Sequence, residues 1–334
     1  MKIFIHRKNR LLCLFLFAFC SCGKNAAVQP SAPVDTAKTV TPVTPVTVNF
    51  PVPNYNPSAL DTSTAFLKQP QVSVLARQDL PEISGIAASK LNPGILYIHN
   101  DSGNPSQIYL TDAAGHDRGS FSLNVANRDW EDIAVGPGPV AGKSYIYLAD
   151  IGDNDAKYSS VFVYRFPEPT IGADNNVVPI DPTSVEKIEL KYPDGPRNAE
   201  TILVDPLTKD IFIASKQSNF SQVYRAAYPQ SATTATTMQP IVRIYINKAT
   251  GGSVSVDGTE VLIRDNQSIW YWKAQNGQSI SDLLKTQPQI ASYANNEPQG
   301  EGVGFAIDGS GYFTDTEIKG YAGKQATVSF YGRK

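Results

Sequence analysis

The sequence contains an internal repeat of short paired strands with polar residues at their ends. Each repeat has an acidic or small residue, an apolar strand, a turn rich in Gly, Pro, Asp or Asn, and a second apolar strand. The repeats cover residues 81–101, 130–150, 198–216, 250–265 and 300–315. A third strand follows each pair, and weaker fourth strands are present. Four antiparallel strands recurring about every 50 residues are typical of a β-propeller.

We therefore predict an all-β propeller of about five four-stranded blades. The fifth repeat reaches the C-terminus after three strands, and residues 72–75 would supply its missing outer strand. Such a pairing closes the ring and protects an edge that would otherwise stay open. A sixth blade within residues 171–192 remains an alternative. A β-sandwich would explain the alternation of apolar residues but not the acidic residues that recur before the strands.

Three regions are expected: a signal peptide at 1–22, a flexible tether at 23–70 and the propeller at 71–334. Basic residues precede the apolar run 11–19, which is too short to span a bilayer. Residues 19–24 resemble a bacterial lipoprotein signal, in which Cys22 would become the lipidated N-terminus. An ordinary signal peptide cleaved nearby is the alternative. The Thr- and Pro-rich residues that follow favour an extended chain.

Composition excludes several classes of function. All three cysteines lie within the first 22 residues, so the propeller has no disulfide, thiolate zinc site or cysteine nucleophile. The formal net charge is −2, and no basic stripe indicates nucleic-acid binding. We expect an exported monomer that a lipid anchor holds at the outer membrane, on its periplasmic face or at the cell surface.

The polar residues at the strand ends predict a shared site. In a propeller the first strand of each blade lines the central channel, and the loops that precede the first strands and follow the second strands open on one face. Four repeats place a glutamate before or at the start of the first strand, and the fourth repeat has Thr250 there. The glutamates are Glu82, Glu131, Glu200 and Glu301. Further candidate ligand-binding residues are Asp101, Asp132, Asp150, Asp153, Arg197, Lys216, Arg264 and Asp315.

Several carboxylates around a narrow channel repel one another unless something compensates their charge. Ca²⁺, a hard cation with oxygen ligands, would do so. Neighbouring Arg and Lys residues or protonation would also do so, and hydrogen bonds to strand amides would give the glutamates a purely structural role. Loops 100–104 and 150–155 carry several oxygen donors, but they lack the full EF-hand pattern and are typical of tight turns.

Catalytic residues are poorly indicated. Glu131 is a candidate base, and His99 is one of only two histidines after the leader. A Ser-His-Asp triad would need His99 with Ser84 or Ser102 nearby. The sequence contains no Gly-x-Ser-x-Gly, P-loop or His-Glu-x-x-His motif.

The repeats resemble a group of bacterial secreted propellers, the esterase-like-phytase and SdiA-regulated groups, and more distantly the gluconolactonase-like proteins. The matching segments are 82–86, 99–103, 129–134, 150–154, 197–200 and 299–302. The gluconolactonase resemblance implies a divalent metal in the channel that Glu, Asn and Asp side chains bind. By this resemblance the ligands would include Glu82, Glu131, Glu200 and Glu301. The fourth repeat departs from this pattern because residues 250–252 contain no acid.

Three functions are consistent with these features. The first is an envelope module that binds a small-molecule or protein ligand at the acidic mouth, with or without Ca²⁺. The second is a metal-dependent hydrolase of a phosphoester, ester or lactone, in which Lys216, Arg197 and Arg264 could hold a phosphate. The third is a structural propeller that binds no ligand.

Overall fold

The computed structural model describes residues 48–172, 174–175, 177, 179–275, 277–294 and 297–334. The predicted signal peptide, Cys22 and residues 23–47 of the predicted tether lie outside the described residues. In the part of the chain that is described, no helix is long and apolar enough to cross a membrane.

The described residues form five sheets, each of which contains the four antiparallel strands of one blade. After strand β1 (Gln71–Val74), blade 1 contains β2 (Ile83–Ala88), β3 (Leu96–Asn100), β4 (Gln107–Thr111) and β5 (Ser120–Ser122). Blade 2 contains β6 (Trp130–Pro137), β7 (Ser144–Asp150), β8 (Val161–Pro167) and β9 (Glu186–Lys191). Blade 3 contains β10 (Ala199–Val204), β11 (Ile211–Ser215), β12 (Ser221–Ala226) and β14 (Gln239–Ile244). Strand β13 (Thr236–Thr237), which lies between β12 and β14 in the chain, pairs parallel with β9 and adds a fifth strand to the sheet of blade 2.

Blade 4 contains β15 (Gly251–Val254), β16 (Glu260–Arg264), β17 (Ile269–Lys273) and β18 (Gln289–Ile290), with the one-turn helix α1 (Ile280–Leu283) before β18. Blade 5 contains β19 (Gln299–Phe305), β20 (Gly311–Glu317) and β21 (Thr327–Gly332), and β1 completes it. Two 3-10 turns cover Pro57–Ala59 and Pro182–Ser184.

The two ends of the propeller sequence close the ring by pairing with each other. Strand β1 runs antiparallel to β21, in a register from Gln71 opposite Phe330 to Val74 opposite Thr327. The inner strands β2, β6, β10, β15 and β19 adjoin in that order, and β19 returns to β2. The predicted closing strand and the five-blade propeller are therefore confirmed. The stretch at 171–192, which left room for a sixth blade, instead supplies the outer strand β9 of blade 2.

The core lies between the blades. Successive residues of a strand point to opposite faces of the sheet, and each blade is covered on both faces by its neighbours, so the middle strands are apolar on both sides. In blade 3, Ile202 and Ile213 pack towards blade 2, whereas Leu203 and Phe212 pack towards blade 4. Five such apolar clusters, one for each pair of neighbouring blades, occur among the described residues.

Residues 48–70, which the sequence assigned to the flexible tether, instead form a strap along the outer edges of blades 3, 4 and 5. The backbone amide of Ser63 donates to the Ile290 carbonyl at 2.8 Å, and that of Leu67 donates to the Gly332 carbonyl at 2.8 Å. The strap buries Phe50 against Tyr224. The tether prediction is wrong over this stretch because its aromatic residues enter the clefts between blades, where they lose contact with water.

Phe66 is the strap residue with the largest expected effect on stability. Its ring is fully buried, and it makes edge contacts with Tyr271 at 5.4 Å and Tyr312 at 4.8 Å between blades 4 and 5. Truncating a buried Phe removes its transfer free energy and leaves a cavity, so Phe66→Ala should lower the free energy of unfolding by about 3–5 kcal/mol. Denaturant titration measures this loss. The neighbouring Leu67 is 48% exposed, so Leu67→Ala should change stability little, and equal losses in both variants would contradict the packed strap.

Candidate functional site

A bulge at the start of the inner strand forms the mouth of the channel in four blades. The register shifts lie between Ile83 and Ile86, Trp130 and Asp132, Ala199 and Thr201, and Gly300 and Val303. A bulge leaves an extra residue unpaired and turns its side chain out of the regular alternation. Glu131, Glu200 and Glu301 are the first residues of these bulges, and all three are at least 95% buried.

The strand register corrects the predicted equivalence of the four glutamates. In blade 1, Ile83 pairs with Asn100, and in blade 2, Trp130 pairs with Asp150. Ile83 and Trp130 are therefore equivalent positions. The residue of blade 1 that corresponds to Glu131 is thus Ser84 and not Glu82. Ser84 donates its hydroxyl to the carbonyl oxygen of Glu131 at 3.0 Å.

Thr250 of blade 4 donates in the same way to the carbonyl oxygen of Glu301 at 3.1 Å. Hydroxyls therefore occupy this position in blades 1 and 4, and carboxylates occupy it in blades 2, 3 and 5.

Three carboxylates from blades 1 and 2 converge at the mouth. Asp101, Asp129 and Glu131 each place one oxygen within 4.8 Å of the other two. The backbone of Gly152 runs beside this cluster, where an added Cβ would lie 2.3 Å from Oε1 of Glu131 and 2.4 Å from the Asp129 carboxylate. We call this set the acidic triad. Asp129 was not among the predicted site residues, although its place two residues before Glu131 matches that of Glu82 before Ser84.

Blades 3 and 5 complete the acidic mouth with charges that are partly compensated. Lys216, directly after β11, forms an ion pair with Glu200. Glu301 accepts a hydrogen bond from the Gln299 amide through Oε1, and its buried Oε2 has no hydrogen-bond partner in the described structure. Glu317 accepts a second bond from Gln299. The mouth thus gathers carboxylates from four of the five blades around the ammonium of Lys216.

Glu82 lies at the rim of the mouth and already has partners. Lys319 forms an ion pair with its Oε1, and the side-chain amide of Asn104 donates to its Oε2 at 3.2 Å. Its charge is therefore compensated within the chain, unlike that of the acidic triad.

Burial and mutual repulsion raise the pKa values of the mouth acids. Burial, then the charges of Asp129, Glu82 and Glu301, raise the pKa of Asp101 to about 6. Burial and the neighbouring Glu301 carboxylate raise the pKa of Glu317 to about 7.

In Glu131, burial followed by repulsion from Glu200 raises the pKa well above its usual value. Burial raises the pKa of Glu200 to about 8 even though Lys216 opposes the shift. Burial lowers the pKa of Lys216, but the Glu200 and Glu301 carboxylates have the larger effect, so the net pKa is raised. The ammonium therefore stays charged.

Two predicted site residues lie in the channel wall and bind backbone amides. Asp132 accepts from the N–H groups of Ile133, Ile202 and Gly252 at 2.8, 2.9 and 3.1 Å, so it links blades 2, 3 and 4. Asp315 accepts from the Gly302 N–H at 2.6 Å, and its Oδ2 is buried without a hydrogen-bond partner among the described residues.

Two further predicted aspartates are fully buried and engaged by loops at the mouth. Asp150 accepts from the backbone N–H of Asp129 at 2.8 Å, which holds the entry to β6. Asp153 accepts from the N–H groups of Lys157 and Tyr158 at 2.9 and 2.8 Å, which agrees with a tight turn. Neither carboxylate belongs to the acidic triad.

The predicted arginines are enclosed by partners within the chain. Arg264 is fully buried, pairs with Glu297 at 2.9 Å and donates to the Gly302 carbonyl at 2.9 Å. Arg197 pairs with Asp194 at 2.6 Å and stacks over two tyrosine rings. An incoming phosphate would have to break these pairs, so the described contacts do not favour the predicted phosphate grip by Arg197, Arg264 and Lys216.

His99 lies beneath the mouth and is fully buried. Its Nδ1 contacts the Asn100 carbonyl at 3.1 Å, and burial lowers the pKa of its imidazole to about 4. Its Nε2 has no hydrogen-bond partner in the described structure, and an added Cβ on Gly85 would lie 2.8 Å from it. No hydrogen bond joins it to Ser84, whose hydroxyl binds Glu131 instead, so a triad of these residues is not assembled.

Comparison with known proteins adds only a distant structural likeness. No protein-family model and no curated protein matches this sequence. Among solved structures, the WD40 domain of Neurospora crassa Pan2 is similar, with 11% identity, a TM-score of 0.42, and coverage of 82% of this chain and 97% of that one. The five four-stranded blades themselves show the propeller fold. The resemblance to the phytase-like, SdiA-regulated and gluconolactonase-like groups stays a prediction.

The raised pKa values predict that stability falls as pH rises. A buried acid whose pKa is raised in the folded state binds its proton more tightly there than in the unfolded chain. Its contribution is complete below the unfolded pKa and is lost as pH rises through the folded pKa. Burial raises the pKa of Asp315 to about 7 from its usual 3.8, so the metal-free protein should be more stable at pH 5 than at pH 8.

Asp315→Asn keeps an oxygen for the Gly302 amide but removes the titrating group. Each unit of raised pKa is worth about 1.4 kcal/mol, so this variant should flatten the fall in unfolding free energy between pH 5 and pH 8 by a few kcal/mol. Denaturant titration at a series of pH values measures the slope. Asp308→Asn, an exposed position on the same blade whose pKa is lowered, is the control. Identical slopes in the parent and Asp315→Asn would refute the assignment.

Proposed function

We propose that this propeller is a ligand-binding module of the cell envelope whose acidic mouth binds a divalent cation, Ca²⁺ in particular. The observation that carries the proposal is the acidic triad, in which Asp101, Asp129 and Glu131 approach within 4.8 Å of one another. The ion would neutralise the triad and leave outward-facing coordination positions for an oxygen-rich ligand.

The charge balance at the mouth supports a cation and not an anion. Lys216 and Lys319 already contact Glu200 and Glu82, respectively. The triad has no such cationic partner among the described ion pairs, and its members repel one another. A bound cation would relieve this repulsion and favour the ionised carboxylates.

The donor set supports Ca²⁺ over softer metals. The triad and the neighbouring Glu301 offer only carboxylate oxygens, which suit hard cations. His99 is buried beneath the mouth, and the propeller sequence contains no cysteine, so the nitrogen and sulfur ligands that zinc and copper prefer are not provided.

Export and lipid anchoring rest on the sequence alone. The basic residues, the apolar run 11–19 and Cys22 support a lipoprotein that carries the propeller outside the cytoplasm. Ca²⁺ is abundant in such compartments relative to the cytosol, so a site of modest affinity would be filled there. Hydrolysis by water activated on this ion is the further step that the sequence left open, and it requires the same metal site.

Calorimetric titration with Ca²⁺ tests the site. We expect binding by the parent protein, with a rise in melting temperature, because a ligand at about 100 times its Kd stabilises the folded state by about 2.7 kcal/mol. Glu131→Gln removes one charge of the triad and should weaken Ca²⁺ binding about tenfold or more. Glu189→Gln, on the outer strand β9, is the matched control and should bind like the parent.

Two results decide against the proposal. The absence of both binding heat and thermal shift in the parent at millimolar Ca²⁺ would contradict it, as would equal weakening in the Glu131 and Glu189 variants.

The number of protons released when Ca²⁺ binds is a further test. Because burial raises the pKa of Asp101 to about 6, Ca²⁺ binding near pH 6 should release protons, which titrations in buffers of different ionisation enthalpy would detect.

A further inference from the structure

The end of the propeller opposite the acidic mouth carries a ring of aliphatic side chains. In every blade the turn between the first and second strands lies at this end, and each of the five turns carries an aliphatic residue that is at least partly exposed. These residues are Leu91, Val140, Leu207, Val256 and Ile307. Leu207 is 72% exposed, and Leu91, Val140 and Val256 are 50%, 49% and 43% exposed. We call these five turns the lower face.

The lower face is one continuous surface around the end of the channel. A cavity there is lined by residues from or beside all five turns, among them Lys90, Pro137, Pro206, Val256 and Ile307. Neighbouring turns also touch: Lys209 Nζ donates to the Gly138 carbonyl at 3.0 Å, and an added Cβ on Gly258 would lie 3.0 Å from the Leu207 side chain. Exposed apolar side chains gathered around one end of the ring favour an interaction site there.

Opposite charges lie on opposite sides of this face. The turns of blades 1 and 2 carry the exposed Lys90 and Lys143, and the turns of blades 4 and 5 carry the exposed Asp257 and Asp308. Each aspartate accepts hydrogen bonds from its own turn, Asp257 from Ser255 and Thr259 and Asp308 from Ser310. None of the four forms an ion pair with another described residue.

We propose that the lower face docks against the lower face of a second copy of this chain, about a two-fold axis through the blade 3 turn. In a five-membered ring, such a rotation brings blade 2 opposite blade 4 and blade 1 opposite blade 5. Lys143 then faces Asp257 of the second copy, and Lys90 faces its Asp308. Leu207, the most exposed of the aliphatic residues, meets its own counterpart at the axis. Each residue pair occurs twice, as an isologous interface requires.

The distribution of charge favours a second copy over a membrane. A bilayer with anionic headgroups would attract Lys90 and Lys143 but repel Asp257 and Asp308, which stand at the same level of the ring. A copy of the same face supplies both signs in the reversed arrangement and covers the aliphatic ring. The expectation of a monomer took no account of this face. The dimer leaves both acidic mouths open at its far ends and is independent of Ca²⁺ binding.

Sedimentation equilibrium of the purified full-length chain tests the dimer through paired charge reversals. The parent should have the mass of a dimer, and Leu207→Asp should be a monomer, because it buries two carboxylates at the axis. Lys143→Glu and Asp257→Lys each place like charges opposite one another twice, so each should weaken dimerisation about tenfold. The double variant Lys143→Glu/Asp257→Lys should regain the parent affinity, because the pair re-forms with its signs exchanged.

Lys324→Glu, in the loop between β20 and β21 at the mouth end, is the matched control and should dimerise like the parent. Recovery of dimerisation by the double variant also distinguishes this interface from association through the apolar residues 11–19, because the substitutions leave those residues unchanged. A parent that sediments as a monomer overturns the proposal, and so does a double variant no tighter than the single ones. Dependence on Leu207 of binding to phosphatidylserine vesicles by a monomeric parent would assign the lower face to a membrane instead.

Discussion

The pairing of β1 with β21 holds the ring of five blades closed. It joins residues more than 250 positions apart, so the loop-closure entropy of nearly the whole chain opposes it. Once formed, it removes the free edge of blade 5 and brings β19 beside β2, which completes the ring. The strap preceding β1 adds Phe50 and Phe66 between the blades, so closure rests on side-chain packing as well as on one ladder of hydrogen bonds.

Closure forces the acidic residues of different blades together at a cost in repulsion and desolvation. The structure offsets part of this cost locally. Lys216 approaches Glu200, Asp132 binds three backbone amides from blades 2, 3 and 4, and Gly152 leaves room for the triad to converge. The triad itself and Oε2 of Glu301 are not offset in this way among the described contacts. Ser84 and Thr250 show that a hydroxyl at the position equivalent to Glu131 is enough to bind the backbone of the next blade. If this position served only to hold the blades in register, every blade could have a hydroxyl there.

The sequence predicted the blades and the closing strand because both depend on local patterns, period-two alternation and turn residues, that the neighbours reinforce. It misplaced Glu82, which lies two residues before Ser84, because the equivalence of Ser84 and Glu131 follows from strand pairing and not from residue type. It left Arg264 free because the partner of this residue, Glu297, is 33 positions away and is set by tertiary packing. Arg197 pairs with Asp194, only three residues before it, a local partner that the sequence reasoning did not single out. The prolines of residues 48–70 suggested a tether, but Phe50, Tyr55 and Phe66 were the signal that this stretch packs on the blades.

The two ends of the channel differ in chemistry because different parts of each repeat lie there. Residues that enter the first strand or follow the second collect at the mouth, whereas the tight turns between these strands collect at the lower face. A tight turn requires Gly, Pro or Asp at only one or two positions, so the remaining positions of these turns could be occupied by polar residues. Five aliphatic tips in one ring lower solubility without adding to the core, and Leu207 in particular contributes nothing to folding that a polar residue would not. That cost is offset only if the lower face is covered, which is the physical reason to seek its partner.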